Sequence, residues 1–215
     1  MIDSIIFDLD GTLWNPKKET LEAVNKVTKK YNIDKVSSKT IKDGMGHTDD
    51  EVMAMYMPKL DKDNQRKLFK EMDQTNIKNL RKNGSKLYPN LIETLNELKQ
   101  NYKLFIISNC GEGYIESFLD HYDLNDYFVD IIAASKENIS KTEGMKRLIK
   151  QYGLKKPIYV GDTLGDFNYA KAANVLFVHA KYGYAKDVES KYKIDRIDNL
   201  PKYIELLNKD IENNE

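Results

Sequence analysis

Short, nearly all apolar runs recur along this chain: IIF at 5–7, LFII at 104–107, DIIA at 130–133, IYV at 158–160 and VLFV at 175–178. They do not alternate with polar residues, so strands built from them meet water on neither face, as a parallel sheet covered on both sides requires. Between the later runs the apolar residues switch to helical spacing, which predicts helices over 90–100, 113–122, 142–152 and 166–173. Strand and helix alternate, and the fold class this predicts is α/β, a doubly wound parallel sheet.

The first two runs break that rhythm. Roughly ninety residues separate them, against about a dozen for an ordinary crossover. Within the gap Leu21, Val24, Val27, Thr28 and Tyr31 fall at helical spacing, and Val52, Met53, Tyr56 and Met57 predict a second helix. The charged stretch 62–82, with sparse apolar positions, predicts one or two more. The expected organisation is therefore a core made of 1–15 and 86–215 with a helical module, 16–85, inserted into it. Gly84 and Pro89, in NGSKLYPN, mark the return to the core. There is no internal repeat, and low complexity is confined to a polar tail from Lys209.

Composition narrows the function classes. Hydrophobic residues are 40% of the 215, enough for a sizeable core, and Lys plus Arg equals Asp plus Glu at 34 each. No net field favours nucleic acid or an anionic membrane. A single cysteine, Cys110, excludes an intrachain disulfide and gives no reason to expect an oxidising compartment. The first apolar run is cut by Asp8, too short for a signal peptide or membrane span. A soluble, cytoplasmic protein is expected.

The chemistry sits where the strands end. The first runs into FDLDGTL, with Asp8 and Asp10; the second into SNCGEG, with Ser108; the fourth into GDTLGDF, with Asp162 and Asp166. Open α/β sheets bind ligands outside the carboxyl ends of strands, where the strand order reverses. With the first strand central, between the second and the fourth, Asp8, Ser108 and Asp162 converge. Four clustered carboxylates repel, so at least one pKa rises or a cation binds. A hard ion such as Mg²⁺ suits an all-oxygen site shared with substrate phosphate. The scattered His47, His121 and His179 offer no zinc spacing. A phosphoryl group also needs donors: Ser108, the backbone amides after Asp8 and Ser108, and Lys141 in ISKTEG at a predicted helix start.

FDLDGTL, ISN, a lysine before a helix and GDTLGD, in this order and spacing, resemble the motifs of the haloacid-dehalogenase-like superfamily of phosphatases. The resemblance covers the predicted sheet domain, about two-thirds of the chain, and the insertion falls where that family carries a helical cap. It implies a Rossmann-like core with an α-helical cap domain, and a phosphoglycolate-phosphatase-like, Mg²⁺-dependent enzyme acting on a small phosphate monoester.

By the same resemblance Asp8 is the nucleophile that forms an aspartyl-phosphate, and also a metal ligand. Asp10 is the general acid and base, its backbone carbonyl binding the metal. Asp162 is a direct metal ligand, and Asp166 acts one layer behind it. Ser108 and the amides of Asn109 hold the phosphoryl oxygens. Lys141 neutralises phosphate and nucleophile, although Lys136 lies in the same SKENISKTEG stretch. Thr12 orients Asp10 or caps the local turn. The family lysine is often followed by proline; here Thr142 follows.

Other residues keep two readings. Cys110 is an oxidisable neighbour of Ser108 or a spectator. His47 faces the site from the cap or caps a helix at the surface, and Tyr182 and Tyr184 line the entrance or simply pack. Arg66 and Arg81, the arginines of the inserted module, have no assignable role. Asp10 is what a phosphatase or mutase needs and dehalogenases lack, and GTL rather than GVI favours hydrolysis. The alternatives are a β-phosphoglucomutase-like mutase and a phosphoacceptor signalling module. Phosphoglycolate, a sugar phosphate or a nucleotide monophosphate all fit, because the selecting side chains belong to the cap.

Overall fold

The computed structural model describes residues 1–185 and 187–212, with side chains through residue 210. The chain begins with β1 (Ser4–Phe7) and β2 (Trp14–Asn15), then passes through four helices, α1 (Lys17–Lys30), α2 (Ser38–Gly44), α3 (Asp49–Tyr56) and α4 (Lys62–Asn83). It returns through β3 (Lys86–Leu87), α5 (Leu91–Leu98), β4 (Lys103–Ser108), α6 (Tyr114–Tyr122), β5 (Asp130–Ala133), α7 (Ala134–Glu137) and α8 (Lys141–Tyr152). It closes with β6 (Pro157–Gly161), α9 (Leu164–Ala173), β7 (Leu176–Ala180), β8 (Tyr192–Ile194) and α10 (Leu200–Glu212).

Six strands form one parallel sheet in the order β5-β4-β1-β6-β7-β8. The apolar runs are its strands, and β1 lies between β4 and β6, the placement on which convergence of the acidic turns depends. Successive residues of a strand face opposite sides. Ile5 and Phe7 accordingly join one apolar layer with Leu104, Ile106 and Ile158, while Ile6 joins the other with Phe105, Ile107 and Tyr159. Helices cover both layers, so neither face tolerates a polar alternation.

The charged stretch expected to form one or two helices forms one, α4, 22 residues long and started by Asp61, whose carboxylate accepts from the amides of Asp63 and Asn64. Helix α2 and the edge strand β8 lack the apolar density that would mark them in the sequence. Where a polar tail was expected from Lys209, residues 209–212 continue α10, and 213–215 lie outside the described residues.

Helices α1 to α4 lie between β2 and β3, which pair antiparallel through Trp14 with Leu87 and Asn15 with Lys86. These helices build their own apolar cluster from residues that include Val24, Val27, Ile41, Met53, Met57, Leu68 and Met72. Among the described residues, no helix is long and apolar enough to cross a membrane.

Candidate active site

Strand register brings the acidic turns together. Phe7 pairs with Ile106 on one side and Val160 on the other, so Asp8 emerges between the ends of β4 and β6. Ser108 and Asp162 stand one step further along their strands. All three are buried, Asp162 completely.

Two helix starts complete the cluster. Ser140 caps α8 by accepting from the Glu143 amide while Glu143 reaches back to the Ser140 backbone, and this capping box fixes Lys141 in the first turn. Thr163 and Asp166 make the equivalent reciprocal pair at the start of α9. Lys141 Nζ is thereby placed 2.6 Å from Asp8 Oδ1, 2.7 Å from Asp166 Oδ1 and 3.1 Å from the Tyr159 hydroxyl. Lys136, the competing lysine, is an exposed partner of Glu112.

The four buried charges have distinct environments. Burial pushes Asp8 up to about 7 against the pull of Lys141, with Asp166 and Asp10 adding to the rise. Burial, then the fields of Asp8 and Asp166, hold Asp162 well above the carboxylate range. Burial also opposes ionisation of Asp166, but Lys141 and hydrogen bonds from Thr163 and Tyr159 outweigh it and hold that carboxyl below its ordinary value. Lys141 is disfavoured by burial, yet Asp166 and Asp8 keep it well above the usual lysine range.

These environments decide which oxygens suit a cation. Carboxylate oxygens of Asp8, Asp162 and Asp166 lie within 4.8 Å of one another. Both oxygens of Asp166 are already engaged, Oδ1 by Lys141 and Tyr159 and Oδ2 by the amide and hydroxyl of Thr163. Asp162 Oδ2 accepts from the Tyr184 amide at 2.6 Å, whereas its Oδ1 is buried with no partner. An orphaned, buried carboxylate oxygen beside Asp8 is costly in a site without a cation. The donor set is all oxygen, as Mg²⁺ requires.

Two glycines shape this pocket. Gly11 has φ +89°, and a Cβ there would run into the Asp162 carboxylate; one on Gly183 would strike Asp162 and the Gly11 carbonyl. The glycine after DLD thus lets the turn close on Asp162, a role in addition to the approach of phosphate that the motif suggests.

Asp10 stands one residue beyond the cluster and half-buried. Its Oδ1 accepts from Trp14 Nε1 at 2.7 Å and from the Tyr114 hydroxyl at 3.0 Å. Burial raises its pKa to about 6, with the Trp14 and Tyr114 hydrogen bonds and Lys141 working the other way. The indole is in turn packed edge-on by Tyr114, Phe118 and Tyr122, successive turns of α6. Orientation of Asp10 was expected of Thr12, but the Thr12 hydroxyl is buried without a partner and its contribution is a backbone carbonyl that accepts from Tyr182. Trp14 and Tyr114 carry no motif signal; only the i,i+4 spacing of Asp10 and Trp14 hinted at a contact.

The remaining candidates divide. Asn109 points its side-chain amide at the Gly46 carbonyl of the inserted helices, 3.0 Å away, so its side chain ties the two parts of the chain together. Tyr182 and Gly183 pack against the site and Tyr184 donates its amide to it. The Cys110 thiol is buried and pushed up by that burial and by Asp10, which makes it a poor nucleophile. His47 is exposed, 3.2 Å from Glu51.

The model of the family described as "Haloacid dehalogenase-like hydrolase" matches residues 5–180. A phosphoglycolate phosphatase of Aquifex aeolicus is 29% identical over 187 residues, spanning 85% of this chain and 86% of that protein. Among solved structures, a haloacid dehalogenase-like family hydrolase from Streptococcus pneumoniae superposes with a TM-score of 0.82 at 21% identity, covering 94% of this chain and 98% of that one. A β-phosphoglucomutase from Clostridium difficile superposes with a TM-score of 0.74 at 19% identity over 96% and 99% of the two chains. At these identities the structural likenesses speak for the fold alone.

Proposed function

We propose that this chain, which belongs to the haloacid dehalogenase-like hydrolase family, hydrolyses a small phosphate monoester by attack of its Asp8 carboxylate on phosphorus. The observation that carries this reading is the pairing of a buried Asp8, charge-balanced by Lys141, with an Asp10 poised at about 6. The named activity of its phosphoglycolate phosphatase relative is of the same class.

Asp8 Oδ2, the oxygen not held by Lys141, attacks phosphorus in line with the departing oxygen. The P–O bond to the alcohol breaks, and Asp10, protonated, gives its proton to the leaving alkoxide. An aspartyl-phosphate results on Asp8, which divides one difficult displacement into two. Asp10, now a carboxylate, takes a proton from water as that water attacks phosphorus, and phosphate leaves Asp8. Ser108, the backbone amide of Asn109 and Lys141 hold the phosphoryl oxygens. Asp8, the Asp10 carbonyl and Asp162 would hold Mg²⁺, with Asp166 behind them; when bound, it supplies positive charge beside the transferring phosphoryl group.

In this reading 16–85 is a cap over a core of 1–15 and 86–215, excluding bulk water from the reacting atoms. The substrate is a small molecule such as phosphoglycolate, a sugar phosphate or a nucleotide monophosphate, and the enzyme is cytoplasmic.

The test is phosphate release from a panel of small phosphate monoesters, with Mg²⁺ and with EDTA, for the wild type beside Asp8→Asn. Metal-dependent release that falls by about 10³ or more in a folded Asp8→Asn supports the assignment. Turnover retained in that variant overturns it, and phosphate recovered on the sugar instead of in solution identifies a mutase.

A further inference from the structure

A cleft of about 620 Å³, open mouth included, is lined by Asp10, the inserted helices and the loop after β4. Its wall carries three carboxylates, Asp10, Asp49 and Asp73, and no lysine or arginine; its one histidine, His47, lies 3.2 Å from Glu51. Asp49 accepts from the Ser135 hydroxyl at 3.2 Å. Asp73 is half-buried with no hydrogen-bond or ion-pair partner among the described residues, and lies so close over Gly111 that a Cβ there would come within 2.8 Å of its Oδ2. Asn76 supplies an independent sign of a missing ligand: it lines the same cleft, is only 6% exposed, and its Oδ1 accepts from nothing. Its Nδ2 is used by the Thr20 hydroxyl.

The arginines of the inserted helices are paired with other carboxylates. Arg81 pairs with Asp120 at 3.0 Å and Arg66 with Asp63 at 3.7 Å. Arg66 and Lys70 border Asp49 and Asp73 in an adjoining depression that shares Phe69 with the cleft, but no salt bridge joins them to either carboxylate. Burial, then the field of Asp49, raises Asp73 to about 7, and burial raises Asp49 as well. The cleft is short of positive charge and of hydrogen-bond donors in the places where acceptors stand open.

We propose that this cleft receives the alcohol half of a phosphate monoester whose leaving group carries a protonated amine, and that it discriminates against a leaving group carrying a carboxylate. The proposal rests on the phosphatase reading above and narrows its substrate class, placing amine-bearing esters ahead of phosphoglycolate. An ammonium offers three N–H donors and one positive charge, which meets open acceptors on Asp49, Asp73 and Asn76 and relieves repulsion between two carboxylates. A carboxylate at the same place adds a negative charge beside Asp49 and Asp73 in a partly desolvated wall that carries no lysine or arginine. The phosphoryl end remains with Asp8, Ser108 and Lys141, so the two ends of the site have opposite electrostatic preferences.

Three two-carbon esters of similar size separate charge from shape: 2-aminoethyl phosphate, 2-hydroxyethyl phosphate and phosphoglycolate. At pH 7.5 with Mg²⁺, kcat/KM is expected to be highest for the amine and at least about tenfold lower for the carboxylate. Asp73→Asn and Asp49→Asn are expected to narrow that ratio by several-fold, through KM more than kcat. A phosphoglycolate preference, equal rates for the amine and hydroxyl esters, or a ratio unchanged in both folded variants overturns the assignment while leaving the phosphatase reading standing. No release from any ester, p-nitrophenyl phosphate included, removes the phosphatase reading and this inference with it.

Discussion

Lys141 Nζ lies 2.6 Å from Asp8 Oδ1, and both side chains are almost wholly withdrawn from solvent. A buried pair of this kind is costly to break because the surviving charge is stranded. Here two carboxylates, Asp8 and Asp166, would be stranded at once. Lys141→Met is therefore expected to lose about 3 kcal/mol or more at pH 7.5 in EDTA. Without the ammonium both folded-state pKa values rise above their unfolded values, so stability falls as pH rises through that window. At pH 5 the loss is expected to be smaller. Denaturant unfolding at the two pH values checks this; an equal loss at both would assign the effect to packing of the lysine stem.

The Tyr114 hydroxyl is 3.0 Å and 3.1 Å from the two oxygens of Asp10. Hydrogen bonds donated to a carboxylate favour its charged form. Tyr114→Phe is accordingly expected to raise the Asp10 pKa above about 6. The limb of the kcat–pH profile that follows Asp10 moves to higher pH, and kcat drops several-fold as the carboxylate loses an anchor. A profile unmoved by the substitution would separate Asp10 from that limb.

Asp162 is the carboxylate whose Oδ1 has no partner. Asp162→Asn is expected to raise the Tm in EDTA, since it removes a buried carboxyl whose ionisation the folded state opposes. In the wild type, Mg²⁺ is expected to raise Tm in a concentration-dependent way, because a ligand for the folded state stabilises by mass action. That rise should vanish in the variant. Thermal unfolding across a Mg²⁺ titration reads both effects without any assay of activity.

Asp73, at about 7, gives a second pH signature. Its folded pKa lies above the unfolded value of about 3.9, so the folded state holds the proton more tightly and stability is lost as pH climbs from about 4 to about 7. Asp73→Asn removes that loss. The Tm of the variant minus that of the wild type is expected to grow from pH 5 to pH 8, and a constant difference would mean that Asp73 is not held protonated by its surroundings.

Much of this fold was legible because its central strands are buried on both faces. Burial on both sides leaves a run such as IIF no reason to alternate, and the run announces itself. Strand β8, YKI at the sheet edge, has one face half in water and looks like any polar loop. The cluster was legible for a similar reason: Asp8 and Asp162 follow apolar strands directly, with Asp166 in the helix turn just after, and a carboxylate in that position needs an explanation. Lys141 stood out from Lys136 by its place at a helix start. Tyr114 did not stand out. It reaches Asp10 across 104 positions of sequence, and a tyrosine aimed at a carboxylate is written the same way as one that packs. Asp49 and Asp73 were hidden likewise, in helices whose charged residues mostly face water.

The placing of β1 between β4 and β6 has a consequence for the order in which the chain is made. Its pairing partners, Lys103 for Ser4 on one side and Pro157 on the other, follow about a hundred and about a hundred and fifty residues later, tens of seconds at slower elongation rates. The strand that carries the nucleophile is thus translated well before either neighbour, while the four helices that follow it can assemble their own apolar cluster at once. A ribosome paused between β4 and β6 would hold a nascent chain with a folded helical segment and an unsatisfied, wholly apolar strand edge, the species a holding chaperone is suited to protect.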